Sequence, residues 1–452
     1  MQKRFSYLLL TMLVTAFSIA GCSNDSNSDP SSTASLEETT ENPAFLTPGY
    51  TKTSPSVLTS VYTINNETQH LNGDVFQSSS NNENALLVSE KGQLTLQNAS
   101  IHKSGTITQS KADNSYGQNA ALAVIGGSHA SLTNTTITSS SPESNGVVVA
   151  GENSSIQATD LAITTIGDNS NGMDTTYNGQ LEASNVNITT TGAYSAPVSV
   201  SQNHSKIHIT GGKLSASHAV SPCLFSAGNL TVDSVTGSSQ NNAASIEGGS
   251  VTWLDSSFTS AGNYGILLYE TSDSTAGSSS FSSENSRLTA TATDSIFYAT
   301  NTTAYIDLTN TIIDSSSNLL LNCSGNSNGN WGEEGDNGAI VKLNADAQTL
   351  QGNIQCDSMS EVSINLKNNS RLTGAVNTAN TGDLVSMELD SSSQWNVTDT
   401  SYVHVLKNSN SNCSNIISNG NIIYYDDTNS ANDWLDGETI ELDNGGSLTP
   451  MP

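Results

Sequence analysis

The sequence predicts an all-β fold, a right-handed parallel β-helix with a C-terminal cap, and three observations carry that prediction. Between Asn119 and Ser217 one short pattern returns four times, opening as NAALAVIGGSHASLTNTTITSS, NGVVVAGENSSIQATDLAITTIG, NGMDTTYNGQLEASNVNITTTG and SAPVSVSQNHSKIHITGGKLSAS. Each copy holds three short alternating segments, each followed by Gly, Asn or Ser, which reads as three strands and three bends. The apolar positions also recur at a near-constant interval. One coil of this length cannot bury its apolar face alone, so successive coils must stack and share a continuous core.

Three apolar rows follow from aligning the copies. The first is Ile101, Ile137, Ile163, Ile188, Leu214, Val235, Phe258, Leu288 and Ile312, with steps of 26, 25, 26, 21 and 23 residues from Ile137 to Phe258. The second lies upstream at Leu94, Leu132, Ile156, Leu181, Ile207, Leu230, Val251 and Phe281, and the third at Leu87, Val124, Val149, Val200, Ile246 and Leu268. A β-sandwich of antiparallel hairpins would also show many short strands. It supplies no reason for the fixed interval.

From the start, residues 1–21 have the layout of a secretory leader: Lys3 and Arg4, then an apolar run from Tyr7 to Ile19 too short to span a membrane comfortably. Ile19-Ala20-Gly21-Cys22 resembles the bacterial lipobox, which implies cleavage before Cys22 and lipid on that cysteine. Ser23, in place of an inner-membrane-retaining Asp, implies an outer-membrane or cell-surface address in the bacterial envelope. Residues 22–56 are Ser, Thr, Asn, Asp, Glu and Pro with few apolar residues. They read as a flexible tether, because they cannot bury enough surface to offset the entropy of ordering.

Without the leader's two basic residues the chain carries 11 basic against 42 acidic residues, a formal charge of −31. Nucleic acids and anionic lipid heads need a basic footprint, so neither is an expected partner. Charged residues are sparse all the same, and the surface is expected to be Ser, Thr, Asn and Gly. Within 57–321, the β-helix repeats, the residue after each first-row position forms a ladder: Thr138, Thr164, Thr189, Ser215, Thr236, Thr259 and Thr289. These should face solvent, since strand neighbours point opposite ways. A regular Thr row is what ice-binding solenoids use. Thr-x-Thr pairs occur only at places such as 136–138 and 189–191, and Thr suits any exposed strand.

Residues 322–338, NCSGNSNGNWGEEGDNG, interrupt the repeats as an acidic Gly/Asn-rich loop. Glu333, Glu334 and Asp336 are candidate calcium ligands, although their spacing is not that of an EF-hand. Further β-helix coils are expected over 339–418, where Leu350-Gln351-Gly352-Asn353-Ile354 and Leu372-Thr373-Gly374-Ala375-Val376 repeat at 22 residues. The irregular stretch 419–452 reads as the cap that a solenoid end requires.

The Trp331-Gly332 loop, the Leu-x-Gly-x-Ile/Val pairs, Leu389-Asp390-Ser391-Ser392-Ser393-Gln394-Trp395 and Tyr424-Tyr425-Asp426 resemble bacterial adhesin-like right-handed β-helix surface proteins, similar in passenger architecture to autotransporters. The resemblance implies architecture and a surface location. It carries no catalytic residues.

Pectin-degrading lyases and hydrolases share the β-helix and supply the alternative. Lyases of that kind need a basic residue as base, and beyond the leader the only arginines are Arg287 and Arg371. Hydrolases need clustered aspartates, and only Asp426-Asp427, in the expected cap, matches such a motif. His204 and His208 have the spacing of one strand face, with His218 nearby, and read as surface histidines; Trp253, two residues beyond a row position, reads as core. Export permits disulfides, and Cys323 with Cys356, flanking the acidic loop, is the first pair to test. The expected function is adhesion to or recognition of a surface, through glycan or protein, with a polysaccharide lyase or glycoside hydrolase as the alternative and ice binding third. No cofactor is expected beyond calcium.

Overall fold

The computed structural model describes residues 58–108, 115–271 and 277–452. The leader 1–21, Cys22 and the tether 22–56 lie outside the described residues. The fold is an all-β parallel solenoid, as the repeats predict. Sheet A stacks twelve strands in chain order from Thr59–Asn65 to Asn353–Cys356, each hydrogen-bonded to the equivalent segment of the next coil. Parallel neighbours need a long crossover. Here the rest of each coil, which forms sheet B, is that crossover.

Sheet B contains five strands of 11 residues, among them His129–Ser139, Ser155–Thr165 and Gln180–Thr190, each bent once. The bend falls on Asn134, Asp160, Asn185, Gly211 and Ser234, at φ of 49°, 57°, 51°, 70° and 58°. One left-handed residue lets the apolar side chains before and after it both point inward. Asn tolerates that conformation better than most residues because its short amide bonds locally. The amides also bond along the axis. Asn98 Nδ2 donates to Asn72 Oδ1 at 2.8 Å, Asn134 Nδ2 to Asn98 Oδ1 at 2.7 Å and Asn310 Nδ2 to Asn285 Oδ1 at 2.8 Å.

The register corrects several row assignments. Leu214 stacks on Gly237, not Val235, and Gly237 on Phe258. A Cβ on Gly237 would lie 2.1 Å from Phe258 Cε1, so the phenyl ring fills the place a side chain would take. Val235 instead stacks over Gly212 in the neighbouring row. Leu288 is followed by Ile313 rather than Ile312, which is 49% exposed. Leu132 sits one row along, between Leu96 and Ala158, while Ala130 joins Leu94 to Ile156. Val88 precedes Val124 on the inner face, and Leu87 faces outward.

Trp253 is core, as read. Its ring stacks on Phe258 at 4.2 Å and meets Phe281 edge-on at 4.9 Å, a favoured aromatic arrangement. Cys323 lies directly over Cys356 in the inner row, and both are buried free thiols, like Cys223 and Cys413. Parallel neighbours about 4.8 Å apart remain within the Cα span of a disulfide.

Residues 419–452 first extend the stack, with Ile422–Tyr425 pairing in parallel to Ser401–Val403 and to Ser447–Pro450. A 3-10 helix, Ser430–Leu435, then breaks the pattern, and Ile440–Glu441 pairs antiparallel along the last strand. That antiparallel strand covers the edge on which another coil would otherwise dock.

Candidate functional site

Sheet A is buried on its inner face by the core, and the two halves of its outer face differ. In the first half it is sealed by its own chain. Leu58, Leu87, Tyr116, Ala123 and Val148 form a second apolar cluster there, and Thr176 Oγ1 donates to Ser115 O at 2.6 Å. Asp174 lies on this covered side, 3% exposed. Burial pushes its carboxyl up to about 7 against the hydrogen bonds of Ser201, Ser199 and Asn171.

In the second half the outer face is aromatic. Leu267 and Tyr298 stand in one outward row, Glu247 and Tyr269 in the next. Tyr264, half-buried, packs on Tyr298 at 4.6 Å between ring centroids, and Trp331, also half-buried, packs on Tyr269 at 4.8 Å. The Gly/Asn-rich loop is what delivers the indole. Asn326 Nδ2 donates to Trp331 O at 2.9 Å and to Thr300 Oγ1 at 2.7 Å, and Asn337 Nδ2 donates to Trp331 O at 3.0 Å. The loop expected to interrupt the core is thus pinned over sheet A by its asparagines.

Burial raises the ionisable groups beneath these rings above their ordinary values. Burial pushes Glu247 up to about 8, offset by hydrogen bonds from Thr271 Oγ1 at 2.7 Å and from the Tyr269 hydroxyl at 3.5 Å. Burial raises Tyr264 to about 12 and Tyr269 well above the usual phenol range. The face therefore offers packed rings over a buried carboxyl biased toward its protonated form, with Glu270 and Asp294 close by. Asp174 and Glu247 do not form a catalytic pair. They are three coils apart in register, roughly 14 Å at ~4.8 Å per strand, whereas paired carboxylates of glycosidases stand about 5–9.5 Å apart.

The residues singled out from sequence fall elsewhere. Glu333, Glu334 and Asp336 are exposed in the loop beyond Trp331. Among the described residues no three His, Cys, Asp or Glu side chains converge as a metal site would require. Thr138, Thr164, Thr189, Ser215, Thr259 and Thr289 do share one outward row, but Ser238 completes it. Thr236 stands beside Lys213 and Ser257 instead, displaced by the Gly237 register. The adjoining outward row holds Thr136, Ala162, Asn187, Lys213 and Arg287, so paired hydroxyls do not repeat along the face. His208 lines a shallow polar furrow of about 400 Å³ with Glu182, Gln157 and Ser131, while His204 sits in the preceding turn at φ 65°, off that strand. Arg287 pairs with Asp314 and both are exposed, and Arg371 meets Gln394 at the surface.

The chain matches no known family model and no curated protein in sequence. Among the described residues no helix is long and apolar enough to cross a membrane. The aromatic face escaped the sequence reading because Tyr264 and Tyr269 belong to one coil, Tyr298 to the next and Trp331 to the later Gly/Asn-rich loop. A usable signal was present in the outward positions of two consecutive coils, where Tyr298 stands in the row of Ser245 and Asn322, and Tyr269 in the row of Glu247 and Thr300.

Proposed function

We propose that the protein is a bacterial surface lipoprotein, held by lipid on Cys22, whose solenoid recognises neutral glycan chains on another surface without cleaving them. The observation that supports this reading is the pair of half-buried rings, Tyr264 and Trp331, braced from below by Tyr298 and Tyr269. Rings locked in this way present flat apolar faces to the C–H faces of sugars and lose little entropy on binding. An excess of acids disfavours polyanionic chains. The lipobox-like Cys22 and the polar tether 22–56 fit a domain held at a distance from the membrane.

The test is retention of the domain from Ser23 onward on a panel of insoluble neutral and acidic polysaccharides, with new chain ends counted in parallel. Wild-type protein is expected to be retained on at least one neutral polymer and to make no new ends. Trp331→Ala is expected to weaken retention by on the order of tenfold, the equivalent of about 1.4 kcal/mol. New ends would move the protein to the hydrolase or lyase class, and retention by no polysaccharide would move the search to protein partners.

A further inference from the structure

The outer row that carries Tyr298 continues in register to Asn322 and Gln355. There the surface opens into a cleft of about 250 Å³ whose walls include Asn322, Ser324, Gln355, Asp357, Asn377 and Thr381. It adjoins the aromatic face. The Tyr298 hydroxyl donates to Gly325 O at 3.2 Å, and Asp357 Oδ2 accepts from Gly325 N at 2.8 Å.

Asn377 is the informative residue. The residue is 2% exposed and its backbone is left-handed at φ 51°. Its Oδ1 accepts from Thr381 N at 3.0 Å and from Gly382 N at 3.1 Å. These two donors settle how the amide is turned, because the flipped amide would set N–H against N–H. Nδ2 is thereby held away from them, and it has no partner among the described residues. Buried donors left unpaired are rare in native proteins, and an oxygen supplied by a ligand would satisfy this one.

The remaining walls narrow the ligand. The lining contains no Lys, Arg or His, so nothing neutralises an anion beside Asp357. A single carboxylate, already accepting from Gly325 N and from Met359 N at 3.1 Å, falls short of the six to eight oxygens that calcium takes. Amides, hydroxyls and one carboxylate suit a neutral ring bearing several hydroxyl groups, each of which both donates and accepts. We infer that the cleft holds one neutral pyranose unit, with Asn377 Nδ2 donating to a sugar hydroxyl oxygen and Asp357 and Gln355 accepting from its neighbours. This rests on the glycan reading and gives it a subsite, about two strand spacings from Tyr298.

The experiment is titration of the domain from Ser23 onward with glucose, galactose, mannose and N-acetylglucosamine, followed by ligand-observed NMR, with inorganic phosphate and calcium chloride as further probes. Asn377→Asp keeps the acceptor for Thr381 and Gly382 but removes the donor, and Gln355→Ala alters only an exposed wall; circular dichroism checks that both fold. One neutral sugar is expected to bind, with affinity reduced about tenfold or more in Asn377→Asp and measurably in Gln355→Ala. Sugar binding unchanged in both variants, or binding of phosphate or calcium in place of sugar, would overturn the subsite. If polysaccharide retention still depends on Trp331 in that case, the aromatic face stands without the cleft. If wild-type protein retains no glycan, both readings fall together.

Discussion

Gly237 and Phe258 occupy the same position of the stack in consecutive coils, and the phenyl ring of one lies where the side chain of the other would be. Trp253 stacks on the same ring at 4.2 Å. Gly237→Ala is therefore expected to destabilise the domain by about 1–3 kcal/mol through overpacking. Urea unfolding followed by tryptophan fluorescence measures it, and an unchanged midpoint would mean that the ring is free to move.

The bend residues make a second expectation. Asn134 combines a left-handed backbone with an axial hydrogen bond to Asn98. Asn134→Ala should lose about 1–2 kcal/mol, since alanine pays the left-handed strain and forfeits the amide bond. Asn134→Gly removes the strain and should lose less. Equal losses would assign the whole effect to the hydrogen bond.

The buried carboxyls give stability a slope with pH. Both have folded pKa values above their ordinary ones, Glu247 at about 8 against 4.5 and Asp174 at about 7 against 3.8. Below the ordinary values each is protonated in both states. As pH rises, the unfolded chain ionises first, so stability falls through that window, by at most roughly 1.4 kcal/mol per pH unit for each group, until the folded state ionises too. Glu247→Gln should flatten the decline between pH 5 and pH 8. Urea midpoints at the two pH values check this, and parallel curves for wild type and variant would contradict it.

Thiol chemistry tests the inner row. Burial pushes Cys223 up to about 12 and raises Cys323 and Cys413, and protonated, buried thiols are poor nucleophiles. Cys223, Cys323, Cys356 and Cys413 should all resist alkylation in native buffer and all react in concentrated urea without reductant. Two unreacted cysteines under the second condition would reveal an oxidised Cys323–Cys356 bridge.

The solenoid was legible because inward positions such as Ile137, Ile163 and Ile188 repeat with little drift, and stacking is the only use for such a repeat. The register was legible only in part. Val235 and Thr236 imitate an inward-outward pair, and choosing Gly237 instead requires knowing that Phe258 needs the room. The bend offered a better ruler, since Asn98, Asn134, Asp160, Asn185, Asn285 and Asn310 each stand three residues before the true row position. The aromatic face and the cleft were not legible. Tyr269 and Trp331 lie 62 residues apart and meet only after the intervening coils stack and the asparagines of 322–338 fold the loop back.

The axial amide bonds give the molecule a way to change length. Ser155 and Gln180 hold equivalent places in consecutive coils, as do Asp160 and Asn185. Excising residues 155–179 would bring Gln180 against His129 and Asn185 against Asn134, which keeps the strand ladder and the bend row in register. Duplicating the segment would do the reverse. Nearest-neighbour energetics make either change a local one, so tandem gain or loss of whole coils can shift the aromatic face relative to the first coil at Thr59–Asn65 without redesigning it.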